Sequence, residues 1–173
     1  ATDQTQTEAF RKWFGDSKVV DADGKPLVMY HGTGADFSEF DIGKSRAGIF
    51  GAGFYFTPNT VWASALADKS ASGANVMPAY LSLKNPVTIE AGEYEQALLD
   101  KFPKAETADQ LTTAMIEAGY DGLIRYGKNG IAEVLVFRGT QIRSAIGNSG
   151  AFDPASPDIR FSRTSTATGT QSA

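Results

Sequence analysis

Apolar positions along this chain change period several times, and each change marks an element. In TEAFRKWF, residues 7–14, Phe10, Trp13 and Phe14 share one helical face, Thr7 stands where an N-cap belongs, and Gly15 marks the stop. The next run, VVDADGKPLVMY, reads as two β segments about an Asp23-Gly24 turn, with Pro26 opening the second, which delivers Tyr30 and His31 at its end. Residues 32–53 are glycine-rich and predict a long loop anchored by Phe37 and Phe40. GFYFT is then a short aromatic strand, and PNTVWASALADK a helix whose start is marked by Pro58, Asn59 and Thr60. VMPAYLSLKNPVTI is β-rich but carries Pro78 and Pro86, so it should lie at an edge or be split. Two helices are expected over residues 94–102 and 107–118, the second with a Thr107/Gln110 capping box and a stop at Gly119. YDGLIRY, a Gly-Lys-Asn-Gly turn, the strand IAEVLVF and the short β segment QIRSAI complete the pattern. Strands outnumber helices in mixed order, so the fold class is α+β.

Composition narrows the chemistry. The 173 residues are 42% hydrophobic and 21% charged, enough for one compact domain with its own core. With no cysteine, thiol catalysis, thiolate zinc sites and disulfide scaffolds are excluded, and a lone His31 excludes a multi-histidine metal site within one chain. The formal charge of −4 argues weakly against nonspecific binding to nucleic acid or anionic membranes. No run approaches the roughly 18 apolar residues of a membrane span, and the first ten residues lack the basic start and apolar core of a signal peptide. These features suggest a soluble, intracellular domain. The tail after Phe161, SRTSTATGTQSA, is small and polar, and residues 164–173 are expected to be disordered beyond a domain spanning 1–163.

Three residues stand out chemically. Glu133 lies in IAEVLVF, where Ile131, Leu135 and Phe137 share its face and Ala132, Val134 and Val136 the other, so neither face is polar. Such a carboxylate must point into a wet cleft or carry a raised pKa, unless it is ion-paired with Arg125, Lys128, Arg138 or Arg143 nearby. His31 ends a strand and precedes Gly-Thr-Gly, where backbone can approach a ligand while the imidazole hydrogen-bonds it; a structural histidine is the plainer alternative. Tyr55, between Phe54 and Phe56, points to the sheet face opposite both. Core packing is its default explanation.

The order of these residues carries a resemblance. YHGT at 30–33, GFYFT at 53–57 and AEVLVF at 132–137 resemble the three strand motifs of ADP-ribosyltransferases of the His-Tyr-Glu class, which includes diphtheria toxin and poly(ADP-ribose) polymerases. The pattern is closer still to the ADP-ribosyltransferase domains of phage polyvalent and MuF-type head-morphogenesis proteins. WFGDSKVVDADGKPLVMYHGT, F-x-x-F-D, G-x-G-F-Y-F-T, GYDGLI, QIRSAIGNSGAFDP and SPDIRFSR extend the match over roughly residues 8–163. Each motif is weak alone; the ordered set is specific. A sister class uses Arg, Ser-Thr-Ser and Glu-x-Glu, but Glu93-Tyr94-Glu95 and Ser165-Thr166 occur here in the wrong order.

The resemblance implies a split core of two small β-sheets flanked by helices, and an enzyme that cleaves NAD between nicotinamide and ribose and transfers ADP-ribose to an acceptor. It implies no metal. In that reading Glu133 holds the ribose hydroxyls and stabilises developing positive charge, His31 holds the adenosine-side ribose, the Gly32 backbone pairs with the nicotinamide amide, and Tyr55 stacks on its ring. Thr33 and Thr57 are secondary contacts unless their hydroxyls serve their own strands, and Arg46 is the candidate partner for the pyrophosphate. Leu66 occupies the position where many class members carry a second tyrosine. A noncatalytic NAD- or partner-binding module and an NAD glycohydrolase are the alternatives. The expected setting is a segment of a larger polypeptide in the bacterial host cytoplasm or phage particle, acting on a protein or nucleic acid.

Overall fold

A computed structural model of the protein describes residues 3–33, 46–48, 50–59, 75–93 and 95–146. Helix α1 (Glu8–Phe14) starts where the Thr7 hydroxyl accepts the Phe10 amide at 3.1 Å and ends at Gly15, whose φ of 52° favours a residue without Cβ. The expected hairpin about Asp23-Gly24 is a five-residue loop closed by a single bridge, Val20 to Pro26. Asp21 organises it: its carboxylate accepts the amides of Asp23 and Lys25, so loop chemistry replaces the longer ladder expected from the alternation.

Strands β1 (Met29–Thr33), β4 (Asn75–Leu81) and β8 (Ile142–Ser144) form a three-stranded antiparallel sheet in the order β1-β4-β8. The second sheet has the order β2-β3-β7-β6-β5, from β2 (Arg46–Gly48), β3 (Gly51–Phe56), β5 (Val87–Ile89), β6 (Gly122–Gly127) and β7 (Gly130–Val136). Among the described strands only β5 and β6 pair in parallel, and the chain between them forms α2 (Glu95–Lys101) and α3 (Ala108–Glu117). The α+β class read from the sequence is what the chain adopts. The β-rich stretch with two prolines is split between the sheets as β4 and β5. Pro78 even lies in the central strand β4, where it faces the end of β8: its carbonyl accepts the Ala145 amide, and one returning bond is all that its missing N–H forgoes.

The layers follow from which faces are apolar. Met29, Ala79, Leu81 and Ile142 of the three-stranded sheet pack against Phe54, Phe56, Ile124, Val134 and Val136 of the five-stranded one, a core shared between the sheets. On the far face of the larger sheet, Leu123, Leu135 and Phe137 meet Leu98 of α2 and Leu111 and Met115 of α3. On the outer face of the smaller sheet, Phe10, Trp13 and Phe14 of α1 gather around Tyr80. Helix α3 opens at Thr107, whose hydroxyl accepts the Gln110 amide; Gln110 returns its bond to Glu106 rather than to Thr107, so the capping box closes one residue early.

One expectation about faces needs correction. A bulge shifts the β6–β7 register from Arg125 opposite Glu133 to Tyr126 opposite Ile131, leaving Ala132 over. Ile131 therefore packs against the core between the sheets, not on the face of Glu133 and Leu135. Of the helix expected over PNTVWASALADK, Pro58 and Asn59 are not helical and residues 60–69 lie outside the described residues, as do the loop anchors Phe37 and Phe40 and the tail at 164–173. No helix among the described residues is long and apolar enough to cross a membrane.

Candidate active site

The two sheets touch along one edge of β3. Residues 51–53 of that edge pair with β2, and beyond them Tyr30 and Thr57 exchange two backbone hydrogen bonds, 2.8 and 3.0 Å, tying β1 to the residue after β3. Between these contacts the Tyr55 carbonyl faces the gap, and His31 Nδ1 lies 2.7 Å from it. A carbonyl oxygen only accepts, so Nδ1 carries the hydrogen and donates. The imidazole thus stands in for a ladder amide at the seam. Antiparallel extension from Tyr30–Thr57 would bring Gly32 opposite Tyr55, so the acceptor taken by His31 is the one a continuing ladder would offer to the Gly32 N–H.

Tyr55 is half-buried on the helix-covered face of the larger sheet, and its hydroxyl donates to the Gly51 carbonyl at 2.5 Å. That bond folds the side chain back along its own strand. Burial raises the Tyr55 pKa, and the nearby Glu133 charge adds to the effect. The flanking glycines have a packing reason. At Gly51, with φ of 125°, a Cβ would come within 2.7 Å of the Thr112 hydroxyl, and at Gly53 it would meet Leu135 and the Val136 carbonyl at 2.6 and 2.7 Å. Thr112 of α3 in turn accepts the Ala52 amide at 2.8 Å and donates to the Ala52 carbonyl at 2.7 Å, clamping the start of β3 to the helix.

Glu133 lies on the same face as Tyr55, two residues along β7 from Tyr55's cross-strand partner Leu135. Extending the ladder one step past Phe56–Val134 places it opposite Thr57. The row Tyr30, Thr57, Glu133, Arg125 therefore runs across the seam from the smaller sheet into the larger. Both readings of Glu133 apply at once: its carboxylate is 24% exposed and sits 3.7 Å from Arg125 Nε, which is 35% exposed. Burial raises its pKa more than the Arg125 charge and hydrogen bonding lower it. The result is a half-buried acid that holds its proton more tightly than a free glutamate.

The remaining candidates are placed as follows. Gly32 and Thr33 continue β1 opposite Val76 and Asn75, and Arg46 begins β2 opposite Gly53; the side chains of Thr33 and Arg46, and all of Leu66, lie outside the described residues. Thr57 is buried, and its hydroxyl accepts the Asn59 amide at 3.2 Å, which is the local use weighed for it. Of the four bases around Glu133, Arg143 is elsewhere. It is fully buried in β8, donates to the Ile142 carbonyl at 2.8 Å, and stacks over Trp13 at 5.4 Å. A cleft of about 510 Å³ bordered by Lys12, Trp13, Lys84, Asp121 and Arg138 opens at the other end of β6 and β7, and another of about 580 Å³ lies along α3; neither contains His31, Tyr55 or Glu133.

Two participants were not legible beforehand. Arg125 was one base among four, because hairpin counting from the Gly-Lys-Asn-Gly turn sets it opposite Ala132, and only the bulge brings it to Glu133. Thr112 gave no signal at all, being 60 residues from Ala52 in a helix whose pattern accounts for it as packing.

Two small sheets with a shared core and helices on their outer faces make an α+β fold consistent with an ADP-ribosyltransferase-like core. The sequence model of the family described as ADP-Ribosyltransferase in polyvalent proteins matches residues 21–152, and the chain belongs to that family. Neither a curated protein nor a solved structure matches it.

Proposed function

We propose that this chain is a mono-ADP-ribosyltransferase of the His-Tyr-Glu class, taking NAD as co-substrate, releasing nicotinamide and joining one ADP-ribose to a macromolecular acceptor. The observation that carries the reading is the placement of Glu133 and Tyr55 on one sheet face beside a seam held by His31. In the reaction the bond between the ribose C1′ and the pyridinium nitrogen breaks, its electron pair leaves with neutral nicotinamide, the acceptor's nucleophile bonds to C1′, and its proton passes to solvent. The leaving group is already cationic, so no strong general acid is needed. One carboxylate suffices: ionised Glu133 accepts hydrogen bonds from the ribose hydroxyls and offsets positive charge as it develops on the sugar.

The other residues bind and orient. Tyr55, fixed through Gly51, offers its ring to nicotinamide. With the Tyr55 carbonyl held by the imidazole, the Gly32 backbone is left to read the nicotinamide amide. His31 is fixed to the Tyr55 carbonyl through Nδ1, and from that place at the seam its imidazole holds the adenosine-side ribose. Thr33, Arg46 and Leu66 complete the proposed NAD site, Leu66 as an apolar wall where many relatives of the class place a second tyrosine, while the Thr57 hydroxyl serves the end of its own strand. The acceptor is a protein or nucleic acid, and the domain acts within a larger phage-type polypeptide inside the bacterial cell or particle.

Nicotinamide release from NAD, measured with bacterial lysate as acceptor source, tests this reading. Glu133→Gln should lower the rate by at least about tenfold to a hundredfold, the scale of losing one charge-stabilising group. Equal rates in the two proteins would remove Glu133 from the chemistry. Calorimetric NAD binding with no nicotinamide release across many acceptors would favour a binding module, a reading motivated by Leu66. Release without label transfer to macromolecules would mark an NAD glycohydrolase. Labelled product lost to protease but not to nuclease identifies a protein acceptor, and the reverse identifies a nucleic acid.

A further inference from the structure

We propose that Arg125 is the positioning residue for Glu133, holding its carboxylate aimed along the sheet face and charged, as the reaction requires. The inference rests on the reading of Glu133 as the catalytic carboxylate, and four observations support it. Arg125 is the direct cross-strand partner of Glu133 on β6. Their charged atoms are 3.7 Å apart, an ion pair rather than a tight hydrogen bond, so the carboxylate can turn toward a ligand without losing its counter-charge. The pair is partly shielded from water, where a counter-charge has more effect than on an open surface. Finally, the bulge at Ala132 is what brings the two residues opposite each other, and bulges beside sites re-aim side chains.

The electrostatics point the same way. Burial favours protonated Glu133, and among the described residues Arg125 on β6 is the group that opposes it, while the hydroxyl of nearby Tyr55 on β3 is turned back to the Gly51 carbonyl and stays neutral. Removing the guanidinium leaves desolvation unopposed. The carboxylate then keeps its proton to higher pH, and protonated it can neither accept two ribose hydroxyls nor balance a cationic sugar. Arg125 touches no reacting atom in this account; it acts through Glu133.

Carbon-13 NMR titration of the Glu133 side-chain carboxyl, assigned by its loss in Glu133→Gln, provides the test. In Arg125→Met the midpoint should rise above that of the unaltered protein, and in Arg125→Lys, which keeps the charge, it should return most of the way. In the unaltered protein the same midpoint should rise as ionic strength increases from about 0.01 M to about 1 M, which screens a partly exposed pair and needs no variant to fold. The acid limb of the kcat profile for nicotinamide release should move with the midpoint, lowering kcat on that limb about tenfold for each pH unit of movement. KM for NAD should change less than kcat. A midpoint indifferent both to salt and to Arg125→Met would overturn the pairing. A midpoint that responds as stated in a protein releasing no nicotinamide at any pH would uphold the pairing and refute the enzymatic reading instead.

Discussion

At the scale of single residues, Glu133 has a stability signature separate from its chemistry. Its native pKa is raised above the ordinary 4.5, so the folded protein binds that proton more tightly than the unfolded chain does. The sign follows directly. The stabilising contribution is full below the unfolded value and is lost as pH rises through the higher native value, so at neutral pH the ionised carboxylate weakens the fold. Glu133→Gln keeps the shape without the charge and should therefore melt above the unaltered protein at neutral pH, with the gap closing toward pH 4 when both are scanned by calorimetry. A structural glutamate held mainly by its ion pair would give the opposite order, the variant melting lower at neutral pH. Much of this residue was legible: an acid on a strand apolar on both faces already called for a cleft, a raised pKa or an ion pair. Which base completed the pair was not, because one bulged residue decides it and a bulge at Ala132 leaves no mark in the alternation.

At the scale of elements, β3 does the most positioning. Its two glycines belong to a stretch that reads only as a glycine-rich loop, and the neighbours that require them, Thr112 and Leu135, lie far along the chain. Thr112 is buried and satisfies both the N–H and the C=O of Ala52, also buried. Valine has nearly the same shape and no hydroxyl, so Thr112→Val should leave both backbone groups unpaired in a dry place, at about 1–3 kcal/mol for such a group. For a chain of this size that corresponds to a fall in Tm of about 2–4 °C per kcal/mol. The same loosening reaches Gly51, whose carbonyl holds the Tyr55 hydroxyl, so NAD affinity should weaken in Thr112→Val. An unchanged Tm in thermal unfolding would show that the hydroxyl does not bear on β3. Three helices, most β segments and the α+β class were legible from period and punctuation, since those signals are local, whereas β2 and the start of β3 fall in the glycine-rich stretch that reads as a loop. The division of strands between two sheets was not, because β4 joins β1 and β8 through pairings that no local pattern encodes.

At the scale of the whole molecule, the seam joins the two sheets through fewer backbone pairs than any ladder within the described sheets. Within each sheet the described strands are joined by ladders of three or more backbone pairs, whereas β1 and the end of β3 are joined by one backbone bridge, the His31 contact with the Tyr55 carbonyl and side-chain packing. Local opening free energy depends on how many such bonds must break together, so the seam should open more readily than β6–β7 at the centre of the larger sheet. An NAD molecule spanning it, with nicotinamide near Gly32 and Tyr55 and ribose near Glu133, adds bonds across the gap where the protein has few of its own. Hydrogen exchange read by mass spectrometry or NMR should therefore show slowed exchange at Tyr30, Gly32 and Thr57 when NAD is added, with Leu123 and Leu135 unchanged as internal references. The Glu133→Gln protein is the form to use, because it keeps the seam intact and limits turnover during labelling. Protection confined to these amides would place the ligand across the two sheets. Protection at the distant cleft bordered by Lys12, Lys84 and Arg138, with the seam unaltered, would mean that NAD binds there instead and that His31 is only the joint between sheets.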